Sequence, residues 1–319
     1  MAVCAALCLL TGCTAKPVIK EAFMLDTFVA LTVYGEEKAL DDALGLCALY
    51  EEQYSRTRGG FVGLINAADG APVYVAAETK ALLQAALAYS AMSDGFFDIT
   101  IGGVSALWDF TSGEAVLSHA DDIENALTGV GYENLIIEDN AVRLANSAQL
   151  DLGAIAKGYI ADRMAENLAA SGAEAAVVNL GGNIVTVGNR PGGGMWEIGV
   201  QKPFAAAREL AGVLRFHGGM AVVTTGVYER GFNADGVYYH HILDPATGYP
   251  AASDLVSVTI LHESGMAADA LGTVVFGMGA EAGLEFLNNL PGAEGVLITT
   301  DDVILTTTGI GDKIQFTEQ

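Results

Sequence analysis

Lys157 sits in the stretch LDLGAIAKGYIADRM (150–164) among small apolar residues and two glycines, with no basic neighbour before Arg163. A glycine-bearing loop that runs into a helix offers free N–H groups and the positive end of the helix dipole, and a lysine in the first turn adds a full charge. Phosphate suits that combination. Asp269 and Thr273 in SGMAADALGTVVFGMG are four residues apart, which on a helix puts a carboxylate and a hydroxyl on one face. Beside a phosphate, such oxygens suit a hard cation such as Mg2+. Five histidines and four cysteines do not suggest zinc. Gly181-Gly182 in NLGGNI lets backbone approach a flat or bulky ligand, or forms a β-bulge. His241 stands in a strand leading into the turn of HHILDPATGYP, and imidazole titrates near neutral pH.

The elements that must carry these groups can be read from periodicity. EAFMLDTFVALTVYG reads as a strand, with Phe28, Ala30, Thr32 and Tyr34 alternating against Val29, Leu31 and Val33. A helix with Leu40, Leu44, Cys47 and Tyr54 in register runs out at the basic loop SRTRGGF. A second helix, AAETKALLQAALAYSAM, presents Leu83, Leu87 and Ala91 on one face. GFFDITIGGVSALWDF is too glycine-rich for a plain core strand, and ENLIIEDNAVRLAN reads as a hairpin. AEAAVVNLGGNIVTVG reads as a buried strand with a glycine break, and a helix over 157–170 carries Ile160, Met164 and Leu168. Strands at GMAVVTTGVY, VYYHHIL and LVSVTIL precede the Asp269 helix, a short helix at AEAGLEFLNNL and a hairpin GVLITTDDVILTTT. Elements alternate but include several hairpins, so the expected class is α+β, mixed β-sheets with packed helices, rather than a doubly wound parallel sheet.

Composition narrows the partners. The chain is 51% hydrophobic with 39 Gly and 7 Pro, ordinary for a globular protein, and its formal charge is −24. That charge repels nucleic acid and anionic membrane surfaces, so an anionic ligand must be held locally. The N-terminus, MAVCAALCLLTGCTAKP, resembles a bacterial lipoprotein signal in which the cysteine after Thr11-Gly12 is acylated. The expected division is a signal over 1–13 with Cys13 lipidated, a tether over 14–20, and one catalytic domain over 21–319. This places the protein outside the cytoplasmic membrane, periplasmic or at the cell surface. Cys47 is then left without an internal disulfide partner, as a buried small hydrophobe.

Taken together and in order, GFFDITIGGVSALWDF, LDLGAIAKGYIAD, VNLGGNIVTVG, TTGVYERGF, HILDPATGYP and ADALGTVVFGMG resemble the ApbE family of FAD:protein FMN transferases. The resemblance spans Leu25 to Thr306 and implies Mg2+ as cofactor and FAD as substrate. It implies metal ligation by the Ala154 carbonyl, Asp269 and Thr273, with Gly272 where some members carry a further acid, so that water replaces one ligand. Implied flavin-nucleotide contacts are Leu25, Phe96, Phe97, Asp98, Asp151, Lys157, Gly181, Gly182, Asn183, Thr225 and His241; Asn183 stands where aspartate is usual. The implied reaction is attack by a threonine or serine hydroxyl of an acceptor protein, modified in trans, on the FMN-side phosphorus, with AMP leaving. Lys157 and Asp269 would stabilise charge, and His241 would assist deprotonation, with Asp98 and Asp151 as alternatives. Competing readings are an FAD pyrophosphatase, a non-catalytic flavin-binding lipoprotein and a solute-binding lipoprotein.

Overall fold

The computed structural model describes residues 16–35, 37–110, 117–205 and 209–319; Cys13 and the proposed signal lie outside them. Its centre is an eight-stranded sheet in the spatial order Val18–Met24, Thr27–Tyr34, Ala175–Leu180, Asn183–Val187, Ala221–Gly226, Leu255–His262, Glu294–Thr299 and Ile304–Thr306. Each neighbouring pair is antiparallel. The architecture is α+β, as the alternation of elements implied.

Because side chains alternate across a strand, both faces of this sheet are used. Val29, Leu31, Val33, Val178, Val223, Val258 and Ile260 face the helices in one core. Val222, Leu261, Val296 and Ile298 face a three-stranded sheet of Ile314–Glu318, Leu210–Phe216 and Trp196–Gln201 in a second core around Trp196 and Phe216. That second sheet was not anticipated in the sequence. Two smaller sheets, Val73–Tyr74 with Ala141–Leu144 and Leu135–Glu138, and Gly231–Ala234 with Val237–His240, complete the β-structure of the described residues.

Three sequence expectations are corrected. The stretch EAFMLDTFVALTVYG is a hairpin whose first strand starts at Val18, inside the expected tether; Leu25 and Asp26 form its turn with φ of 54° and 53°. Two left-handed residues twist a two-residue turn to match its strands, but neither residue is a glycine or asparagine that would announce it. The glycine break at Gly181-Gly182 is likewise a hairpin turn, with φ of 59° and 98°, closing Leu180 onto Asn183. In the helix Ala77–Met92 the buried face is Thr79, Leu82, Leu83, Ala86 and Ser90, with Leu87 at its margin and Ala91 exposed.

Two helices position the chemistry. Ala156–Ala170, the lysine helix, buries Ile160, Met164 and Leu168, while Gly265–Met278, the carboxylate helix, is buried on nearly every side. They meet at two glycines: a Cβ on Gly158 would lie 2.1 Å from the Gly265 carbonyl oxygen, and one on Gly265 would lie 2.8 Å from the Gly158 carbonyl oxygen. The contact is locked by exchanged carboxylates. Asp162 of the lysine helix accepts hydrogen bonds from Ser264 Oγ (2.8 Å) and from the Gly265 and Met266 N–H groups (2.6 and 3.0 Å). Asp269 Oδ2 accepts the Gly158 N–H at 2.8 Å. Each helix thus satisfies N-terminal N–H groups of the other, which would otherwise lack partners. Gly158→Ala should force the helices apart and cost at least about 2 kcal/mol; an unchanged urea midpoint for that variant would contradict so tight a crossing.

Candidate active site

The start of the lysine helix and the Asp269–Thr273 face of the carboxylate helix open onto a cleft of about 810 Å³. Its walls come from the hairpin turn Leu25–Thr27, the end of the helix Lys38–Tyr54 with its following loop, the Phe96–Ile101 loop, the sheet residues around Asn183 and Thr225, and the segments at Glu229–Arg230 and His241–Pro245. Leu25, Phe96, Phe97, Asp98, Asp151, Ala154, Lys157, Gly181, Asn183, Thr225, His241, Asp269 and Thr273 all line it. Gly182 does not. A Cβ there would meet nothing within 4 Å and its N–H bonds Asn179 Oδ1, while its φ of 98° is the turn's own reason for a glycine.

The Gly158–Asp269 bond sets the local chemistry. The helix begins at Ala156 behind its cap Ile155, so the Gly158 N–H is a first-turn donor with no carbonyl acceptor inside the helix. Asp269 takes that N–H instead, and no hydrogen bond among the described residues reaches the Ala154 carbonyl. An unpaired carbonyl, a carboxylate only 4% exposed and the Thr273 hydroxyl therefore border one cleft beside Lys157. Among the described residues no three of His, Cys, Asp or Glu cluster as a metal cage. The donor set is hard oxygen and carries one carboxylate, which fits Mg2+ sharing its shell with water and a phosphate ligand.

Gly272, beside these ligands, is packed shut. A Cβ there would lie 2.3 Å from Thr225 Oγ1, so the threonine hydroxyl fills the space an acid at 272 would need. Gly277 plays a similar part for Phe96, whose ring lies 2.2 Å from where a Cβ would stand.

Lys157 is isolated in sequence but not in space. Arg56 and Arg230 line the same cleft, Arg56 with its Nε 3.8 Å from Asp151 Oδ2. Asp151 is held by Ser105 Oγ (2.6 Å) on Oδ2 and by the Gly153 N–H (2.8 Å) on Oδ1, while Asp98 Oδ1 accepts the Thr100 N–H and hydroxyl, both at 2.7 Å. Burial raises the Asp98 pKa, opposed by those Thr100 bonds. Burial likewise raises Glu229, with Lys157 and Arg230 pulling it back. The two arginines were not singled out in the sequence: Arg56 lay in the loop SRTRGGF, read only as a helix terminus, and Arg230 in TTGVYERGF.

His241 Nδ1 lies 3.2 Å from the Arg230 carbonyl. A carbonyl only accepts, so Nδ1 carries the proton and Nε2 keeps its lone pair. Burial, and then the charge of Lys157, push the His241 pKa down to about 3; burial takes neighbouring His240 to about 4. Arg230 also spans the cleft mouth, its Nη2 donating to the Asp26 carbonyl at 3.2 Å.

Residues 25–297 match the sequence model of the ApbE family. The chain belongs to the ApbE family. Among curated relatives, a protein of Klebsiella pneumoniae (strain 342) named FAD:protein FMN transferase is 35% identical over 89% of this chain and 90% of its own length. One of the same name from Treponema pallidum (strain Nichols) is 32% identical over 97% of this chain and 93% of its own. The ApbE protein of Thermotoga maritima superposes with a TM-score of 0.84 at 33% identity, covering 92% of this chain and 97% of that one. The flavin transferase ApbE of Vibrio cholerae does so at 0.81 and 27% identity, covering 92% and 98%. The ApbE motifs quoted from the sequence thus coincide with the walls of the cleft.

The two histidines predict an acid-sensitive fold. Unfolded imidazoles take up protons near pH 6.5, whereas the folded ones stay neutral down to about 3 and about 4. Their contribution is intact above pH 6.5 and falls as pH drops, because the unfolded chain binds protons first. Between about pH 7.5 and pH 5 each should remove about 2 kcal/mol. In urea titrations at both pH values, His241→Gln should lose less stability on acidification than the unaltered protein.

Proposed function

We propose that this protein transfers FMN from FAD to a threonine or serine hydroxyl of another protein, releasing AMP. The observation that carries the proposal is the convergence, on one cleft, of an unpaired Ala154 carbonyl, Asp269, Thr273 and Lys157, in a family whose curated relatives are named FAD:protein FMN transferase. Phosphoryl transfer of this kind needs mainly positioning and charge stabilisation. A Mg2+ held by Ala154, Asp269 and Thr273 would neutralise phosphate charge and polarise the phosphorus.

The remaining work falls to side chains of this chain. Lys157, in the first turn of its helix, sets a full positive charge and a dipole end against the pyrophosphate. Arg56 and Arg230 extend that positive wall in a protein of net charge −24. His241 is the best-placed base, because both oxygens of Asp151 are occupied while its own Nε2 is free. Burial and the charge of Lys157 depress its proton affinity. A phosphate entering beside it offsets the charge of Lys157 and raises that affinity.

The acceptor is modified in trans, and the anchor proposed at Cys13 would hold the enzyme at the outer face of the cytoplasmic membrane near membrane-associated redox proteins. No helix of the described residues is long and apolar enough to cross a membrane.

Incubation with FAD, Mg2+ and an acceptor bearing a Ser/Thr flavinylation motif should shift the acceptor mass by FMN, with AMP released in equal amount and none after chelation of the metal. Free FMN and AMP at a rate indifferent to acceptor would identify a pyrophosphatase instead. Lys157→Ala should weaken FAD binding and slow transfer, each by about ten-fold or more; calorimetry and acceptor mass measure the two, and an unaffected variant would remove Lys157 from the mechanism.

A further inference from the structure

The eight-stranded sheet ends in an apolar corner that the described elements leave uncovered. Its edge strand, Val18–Met24, pairs only with Thr27–Tyr34. Alternation puts Ile19, Glu21 and Phe23 on the side away from the helices, with Phe23 directly opposite Phe28. Ile19, Phe23 and Phe28 are 60%, 68% and 77% exposed, and the two rings meet edge to face with centroids 5.6 Å apart. The second sheet reaches this side at the opposite end of the hairpin, where Trp196 packs against Tyr34. Phenylalanine is normally an interior residue, so an adjacent exposed pair on an edge strand marks a surface with a partner.

The place of this corner in the chain says which partner. The described residues begin at Lys16, and Cys13, the residue proposed to carry lipid, stands shortly before Val18. The stretch from 13 to 18 spans at most about 18 Å, so a bilayer holding the Cys13 lipid lies within reach of the start of the edge strand. From Ile19 the stripe runs about 13 Å along the strand to Phe23. It ends at the turn Leu25–Thr27, which is also the lip of the cleft. A tether this short makes docking an intramolecular step, so an apolar contact too small to hold a free protein on a membrane is populated. Glu21 lies between Ile19 and Phe23, and the whole chain carries −24, so lipid without net charge is favoured over anionic lipid.

We propose that the Ile19, Phe23 and Phe28 corner is a membrane-docking surface, which seats on the bilayer that holds the Cys13 lipid and keeps the cleft lip at the membrane surface. This rests on the lipid anchor of the reading above, and it concerns where the site is held, not the reaction performed there.

Phe23→Trp and Phe28→Trp, each made in the full lipidated chain, report on the corner, since the native Trp108 and Trp196 are only 6% and 4% exposed. Val303→Trp, at an exposed position beside the opposite edge strand Ile304–Thr306, is the reference. In phosphatidylcholine vesicles with brominated acyl chains, emission from the two corner variants should shift to the blue and be quenched, while the reference does neither. Substituting phosphatidylglycerol for part of the lipid should lessen both effects. Corner variants quenched no more than the reference would overturn the proposal. So would a blue shift that needs added acceptor protein, or one that grows with protein concentration in detergent without vesicles, since either gives the corner to a protein surface. A chain that carries no lipid mass and stays in solution beside vesicles would instead overturn the anchor reading, with the FMN-transfer assay judging the reaction separately.

Discussion

The Gly158–Gly265 crossing is the constraint on which the site depends. Only the absence of a Cβ at both positions lets the two helix starts approach until a carboxylate of each reaches the other's N-terminal N–H groups. The consequence is chemical as well as mechanical. The Gly158 N–H, a first-turn donor without an acceptor inside its helix, is committed to Asp269, and the Ala154 carbonyl just before that helix stays unpaired in the same cleft. One contact thus anchors Asp269 and the start of the lysine helix at the same cleft wall.

Around that contact, the cleft is walled by segments distant in sequence. Arg230 is the main connector: its backbone carbonyl holds the His241 ring in one tautomer, its guanidinium ties down the Asp26 carbonyl at the hairpin tip, and its charge joins those of Lys157 and Arg56. A chain of net charge −24 repels anions at long range, but screening confines that field to about a Debye length. Within the cleft, a few close cations and a helix terminus decide the local sign.

Glycines near the site serve two different physical ends. At Gly181 a Cβ would fall 2.1 Å from Thr27 Oγ1, so the hairpin tip and the glycine turn pack against one another at the cleft edge. At Gly182 the requirement is conformational, a φ of 98° in a two-residue turn. Sequence alone does not separate a turn from a bulge, because both interrupt a strand with the same residue type. The Leu25-Asp26 turn was hidden for the opposite reason: it lacks the glycine or asparagine that marks such a turn, and its left-handed backbone is sustained by strand pairing and by Arg230.

By itself the sequence determined the local platforms: the helix that begins near Lys157, the four-residue spacing of Asp269 and Thr273, the hairpins at 135–144 and 294–306, and the alternation that buries Val29, Leu31 and Val33. These depend on neighbours within a turn or a strand, whose periods of 3.6 and 2 are written directly into residue order. Only the tertiary structure decided that Asp162 caps a helix a hundred residues away, that Arg56 and Arg230 stand with Lys157, and that Thr225 fills the space beside Gly272. Such contacts arise where two backbones pack closely, and that distance depends on side-chain volumes throughout the core rather than on any short run of residues.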